Sequence, residues 1–139
     1  MNGRYGISSH LRGKAFIFLT LLSAFACAPD GLAHARMIRS IPQKNAELSG
    51  IPKQIELWFN ELLDDGFNSV EVFTAAELTS EHHTNLASEK AVVDPKDRTH
   101  LTVKLGPLSP GEYLVQWRVL SRDGHTAPGR LTFSVTGTN

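Results

Sequence analysis

The sequence predicts an all-β fold of about seven short strands. Three observations lead to this prediction: apolar residues alternate with polar residues in several short runs, turn-forming pairs separate these runs, and no segment carries the apolar stripe of an amphipathic helix. The 139 residues contain no internal repeat and no low-complexity stretch. A single small domain accounts for this length once an N-terminal segment is set aside.

Each strand is predicted from a run in which every second residue is apolar, because successive side chains of a strand point to opposite faces. A first strand is expected near Met37 to Ser40. The residues predicted to face the core in the later strands are Ile55, Leu57 and Phe59; Val70 and Val72; Leu101, Val103 and Leu105; Tyr113, Val115, Trp117 and Val119; and Leu131, Phe133 and Val135.

Turn signals lie between these runs. The predicted turns are Asp65-Gly66, Asp94-Pro95, Gly106-Pro107, Pro110-Gly111 and Pro128-Gly129, and the polar stretch from Ala75 to Lys90 is predicted to be a loop or a weak edge strand. Many short strands at turn spacing favour an immunoglobulin-like antiparallel β-sandwich or barrel with Greek-key connections.

The first 33 residues are predicted to be a secretory signal peptide. Three basic residues precede an apolar stretch of 14 residues, Ala15 to Ala28, which is shorter than the roughly 20 residues of a membrane-spanning helix. Small residues allow cleavage after Ala33 or after Ala35, and a lipoprotein cut before Cys27 is a third alternative. Only cleavage after Ala33 leaves His34 at the new N-terminus.

The composition of residues 34–139 excludes several classes of function. The signal segment holds three of the 14 basic and one of the 14 acidic residues, which leaves 11 and 13 and a net charge of −2 with neutral histidines. This charge gives no reason to expect a nucleic acid partner. The only cysteine, Cys27, lies in the signal segment, so metal donors in the exported domain must be nitrogen, oxygen or thioether.

Three residues outline a copper site. An N-terminal His34 offers its α-amine and its imidazole, which close one chelate ring on a metal ion. Asp123 and His125 are two positions apart in an extended segment and therefore point the same way, and Gly124 lets the backbone bend between them. A tetragonal set of nitrogen and oxygen donors is what Cu(II) prefers.

The chain resembles the periplasmic copper-binding proteins of the CopC type. The resemblance covers residues 34–139 and is carried by His34-Ala35, by Ser40-Ile41-Pro42, by Ile55-Glu56-Leu57-Trp58-Phe59-Asn60-Glu61, by Leu108-Ser109-Pro110-Gly111-Glu112-Tyr113, and by Ser121-Arg122-Asp123-Gly124-His125.

The resemblance implies a periplasmic seven-stranded sandwich that binds Cu(II) through His34, Asp123 and His125. It favours cleavage after Ala33, because family members begin with His-Ala, and it suggests cooperation with an inner-membrane copper transport protein. Some members hold Cu(I) in a methionine-rich loop. Residues 34–139 contain Met37 alone, so that second site is not expected.

The expected function is copper carriage, resistance or homeostasis, with no catalytic residue and no small-molecule substrate. One alternative is a metal-free sandwich that uses exposed strand edges as an interaction module. Another is a copper oxygenase built on the amine and imidazole of His34. His82-His83 and His100 are predicted to be solvated or rim residues, and the sequence does not decide where Trp58 lies.

Overall fold

A computed structural model of the protein describes residues 35–79 and 83–137. The predicted signal segment and His34 lie outside these ranges. No helix in the described ranges has the length and apolar character that crossing a bilayer requires. The strands are β1 (Met37–Ile41), β2 (Ala46–Leu48), β3 (Gln54–Phe59), β4 (Ser69–Thr74), β5 (Val92–Val93), β6 (His100–Lys104), β7 (Gly111–Leu120) and β8 (Thr126–Val135), with one 3-10 helix at Ala75–Thr79.

The strands form two four-stranded sheets, in the orders β1-β3-β6-β5 and β2-β8-β7-β4. This arrangement confirms the predicted all-β sandwich. One pairing departs from the antiparallel prediction, since the three-residue β2 runs parallel to β8, with Ala46 opposite Phe133 and Leu48 opposite Val135. Such a short strand shows too few alternating residues to be recognised in a sequence.

The predicted alternation is confirmed in the core. The inward-facing residues of β3, β6, β7 and β8 are buried, among them Leu57, Leu101 and Val115, which are fully buried. The two sheets are joined by an edge-on contact between Phe59 and Trp117, whose ring centroids are 6.3 Å apart. Aromatic pairs prefer such offset geometries, and they contribute beyond their buried area.

The first strand lies where the sequence predicts it, at Met37–Ile41, but its partner could not be predicted. It pairs antiparallel with β3, in the sheet that does not contain β7 and β8. The segment next to β8 is β2, which follows β1 after a short turn. Periodicity shows which residues of a strand face the core, but it does not show which strand lies beside it.

The predicted turn at Pro128-Gly129 is wrong, because both residues lie inside β8, opposite Arg118 and Trp117 of β7. The partner β2 reaches only Phe133 to Val135, so β8 has an open edge at Pro128. An open edge is where a strand tolerates a residue without a backbone N–H. Gly129 gives space to the indole of Trp117, which lies over its Cα.

The polar stretch after β4 forms the 3-10 helix and a loop. Asn85 organises the loop, since its side-chain oxygen accepts the N–H groups of Val72 and Ala87, each at 3.0 Å. Ala87 also makes an isolated bridge with Leu105. Residues 83–90 therefore agree with the predicted loop, whereas the 3-10 helix at Ala75–Thr79 departs from it.

Candidate metal centre

The Asp-Gly-His segment is the connection between β7 and β8, the two longest strands. Its backbone closes tightly: the N–H of Ser121 donates to the carbonyl of His125, and the N–H of Gly124 donates to the carbonyl of Ser121, each at 2.9 Å. Gly124 has φ of 88°, a conformation that favours glycine. The connection is thus anchored on ten-residue strands at both ends.

Asp123 and His125 lie side by side on this connection. Their Oδ2 and Nδ1 atoms are 3.1 Å apart, and the side chains are 41% and 63% exposed, respectively. Neighbouring donors of a tetragonal site are at right angles, so an imidazole nitrogen and a carboxylate oxygen at metal distances of about 2.0 to 2.2 Å are about 3 Å apart. The separation in this structure fits two neighbouring ligands of one divalent metal ion.

Ser121 holds the carboxylate of Asp123 in place. It follows β7 directly and is only 1% exposed, and its hydroxyl donates to Asp123 Oδ1 and also lies 3.0 Å from the carbonyl oxygen of His125. The hydrogen bond from Ser121 is the main reason that the pKa of Asp123 falls from 3.8 to about 2, and the backbone N–H and imidazole of His125 contribute. Asp123 is therefore ionised at neutral pH.

The segment after β3 runs beside this connection. The N–H of Arg122 donates to the carbonyl of Leu62, at 2.9 Å, and Leu63 makes an isolated antiparallel bridge with Ser121. An open hollow at this place is lined by Glu61, Leu62, Arg122 and Asp123. The segment brings Glu61 and Leu62 next to Asp123, one of the predicted ligands.

The residues that follow His34 are fixed against the same segment. Ala35 is 5% exposed and packs in the core. Arg36 exchanges two hydrogen bonds with Asn60: its N–H donates to the side-chain oxygen at 2.5 Å, and its carbonyl accepts the backbone N–H at 3.0 Å. His34 itself is outside the described residues, so its role as a ligand stays a prediction.

The described residues supply two of the predicted donors. Within residues 35–79 and 83–137, no group of three or more His, Cys, Asp or Glu side chains is arranged to hold a metal ion. The other two predicted donors, the amine and the imidazole of His34, belong to a residue outside the described ranges. Ser121 and Asn60 both lie in motifs that carry the family resemblance, but the sequence predicts a role for neither, because their hydrogen-bond partners depend on the tertiary fold.

The other predicted surface histidines lie elsewhere. His100 is less exposed than predicted, at 13%, because its ring stacks on Trp58 with 4.2 Å between centroids, and the guanidinium of Arg39 covers the same indole. Its Nε2 is 3.0 Å from a Glu56 oxygen but makes no hydrogen bond with the described residues. His83 is exposed and lies near Phe73, while His82 is outside the described residues.

The fold and the loop define a class of protein: a β-sandwich with a carboxylate and an imidazole paired on the connection between its two longest strands. The chain belongs to the CopC family, since the CopC domain matches residues 37–136.

Related proteins cover three quarters or more of the chain. Protein YobA of Escherichia coli strain K12 is 34% identical over 118 residues, which is 84% of this chain and 90% of YobA. Copper resistance protein C of Pseudomonas syringae pv. tomato is 33% identical over 122 residues, 85% of this chain and 94% of that protein. The crystal structure of CopC from Methylosinus trichosporium OB3b superposes with a TM-score of 0.65 and 25% identity, over 75% of this chain and 95% of that one.

Proposed function

We propose that this protein is a periplasmic copper-binding protein of copper resistance or homeostasis, and that it holds Cu(II) through four donors. These are the α-amine and imidazole of His34, the carboxylate of Asp123 and the imidazole of His125. Residues 1–33 are removed as a signal peptide on export, so that His34 becomes the first residue. The protein carries or sequesters the ion, and an inner-membrane copper transport protein is the expected recipient.

The observation that carries the proposal is the separation of 3.1 Å between Asp123 Oδ2 and His125 Nδ1 on an exposed, well-anchored connection. Both side chains are accessible to an ion from solution. Membership of the CopC family and the similarity to copper resistance protein C support copper as that ion.

The donor types support Cu(II) over Cu(I). Thioether ligands select the cuprous ion, and Met37 is the only methionine of residues 34–139. It is partly buried and packs against the hydrophobic core, so its sulfur is part of the packing of β1. Nitrogen and carboxylate donors remain, and these suit the cupric ion.

Native mass spectrometry of the exported protein, before and after one equivalent of Cu(II), tests the proposal. We expect a chain that starts at His34 and gains one copper ion. His125→Ala, or one extra residue ahead of His34, should weaken binding on the order of a hundredfold or more, since loss of outer-shell groups alone costs 10- to 100-fold. The matched control His83→Ala should leave the affinity unchanged.

Two results would contradict the proposal. A mature chain that starts at Arg36 lacks the proposed chelate, and unchanged copper affinity in His125→Ala removes the loop from the site. Either result would favour a metal-free interaction module.

A further inference from the structure

Asn60 makes an unusual contact with the start of the described chain. It follows β3 directly, and its side-chain oxygen and its backbone N–H bind the N–H and the carbonyl of Arg36, at 2.5 and 3.0 Å. Both backbone polar groups of Arg36 are therefore satisfied by one residue. In a regular ladder the partner's carbonyl, and not its side chain, would accept the N–H group.

The contact lies just beyond the end of the ladder. The pairing of β1 with β3 ends at Met37 opposite Phe59, and its register is irregular between Met37 and Arg39. Without the amide of Asn60, the N–H of Arg36 would lose its partner at the point where the chain leaves the sheet. Chain termini that are not tied down in this way are usually poorly ordered.

The fixed residue is close to the predicted terminal ligand. The Cα of His34 is two peptide links from the Cα of Arg36, a reach of about 7 Å at most. On its other side, Asn60 continues into Glu61 and Leu62, and the carbonyl of Leu62 accepts the N–H of Arg122. The same short segment thus contacts both the start of the described residues and the loop that carries Asp123.

We propose that Asn60 is a positioning residue of the copper site: by clamping Arg36, it fixes the chain two residues after the proposed ligand His34, on the segment that also contacts the loop of Asp123 and His125. This inference rests on the proposed function. The clamp limits the freedom that the terminus would lose on binding the ion, and such preorganisation raises affinity without adding a ligand.

The test compares Asn60→Ala with Asn60→Asp, which keeps an acceptor oxygen at the same place. Cu(II) affinity is measured by competition with a chelator, and the coordination by electron paramagnetic resonance. We expect Asn60→Ala to bind roughly 10- to 100-fold more weakly, as outer-shell substitutions do, and Asn60→Asp to recover most of the loss. Asn85→Ala is the matched control, because Asn85 also accepts two backbone N–H groups, but away from the predicted ligands.

A second comparison separates positioning from a general loss of stability. In a protein with one extra residue ahead of His34, the amine is no longer a ligand, so Asn60→Ala should cost less than about twofold in the remaining affinity. An equal loss in both backgrounds, or no loss in the natural one, would overturn the role of Asn60. Failure of the copper proposal itself would appear differently, as absence of binding in the unsubstituted protein or as insensitivity to the added residue.

Discussion

Gly129→Ala is expected to destabilise the sandwich strongly, although it adds only one methyl group. A Cβ at position 129 would lie 2.3 Å from Cζ2 and 2.4 Å from Cε2 of Trp117. Carbon atoms in favourable contact are about 3.5 to 4.0 Å apart. The indole would therefore have to move by more than 1 Å, and it is only 6% exposed and packs edge-on against Phe59.

The expected magnitude follows from this lack of space. Extra methyl or methylene groups in a packed core cost about 1 to 3 kcal/mol, and the rigid indole and the β8 backbone place this clash near the upper value. One kcal/mol lowers the Tm of a domain of up to a hundred residues by about 4 to 8 °C. Gly129→Ala should thus lower the Tm by about 10 °C or more.

A double-mutant cycle attributes the loss to the indole. Trp117→Leu has no atoms where Cε2 and Cζ2 lie, and it is destabilising by itself because it leaves a cavity. In the double variant the added methyl group meets no ring. The loss in unfolding free energy of the double variant should therefore be about 1 to 3 kcal/mol smaller than the sum of the losses of the two single variants. The measurement is thermal and urea unfolding followed by circular dichroism. A Tm for Gly129→Ala within about 2 °C of the unsubstituted protein, or additive costs, would refute the close packing of these residues.

Two further predictions concern hydrogen bonds. Tyr113→Phe should lower the free energy of unfolding by about 1 to 3 kcal/mol, because the buried hydroxyl donates to the carbonyl of Ser109 and accepts its N–H at 3.0 Å; unchanged urea unfolding would contradict this. Asp123 should titrate at about pH 2 in the metal-free protein, followed by its carboxyl carbon in NMR spectra, and Ser121→Ala should move this pKa up towards 3.8. The pKa is lower in the folded state, so the stabilisation by ionised Asp123 is present above about pH 4 and is lost as the pH falls from about 3.8 to about 2. The same pKa in both proteins would show that the Ser121 hydroxyl does not stabilise the carboxylate.

Most of the sandwich could be predicted because its long strands bury one face. The alternation of Val115, Trp117 and Val119 with Gln116 and Arg118 leaves one arrangement in which the apolar side chains are removed from water. The failures have a common cause. The partner of β1, the parallel pairing of β2 and the position of Pro128-Gly129 inside β8 depend on which segments meet in space, and local periodicity does not carry that information.

The candidate site, too, could be predicted only in part from the sequence. Asp123 and His125 could be predicted as neighbours, since a spacing of two places side chains on one side of an extended segment. The buried hydroxyl of Ser121 and the amide of Asn60 could not, because each acts through a hydrogen bond that exists only in the folded chain. The copper ligands themselves stay a prediction, and His34 is the decisive one.

The stack of Arg39, Trp58 and His100 has a consequence for optical spectroscopy. The protein has two tryptophans: Trp117 is in the core, and Trp58 lies between a guanidinium and an imidazole on the outer face of a sheet. An indole's emission depends on the groups that contact its ring. Replacing Arg39 or His100 should therefore change the fluorescence of Trp58 and leave that of Trp117 unchanged, so the natural chain carries one reporter of this surface stack and another of its core.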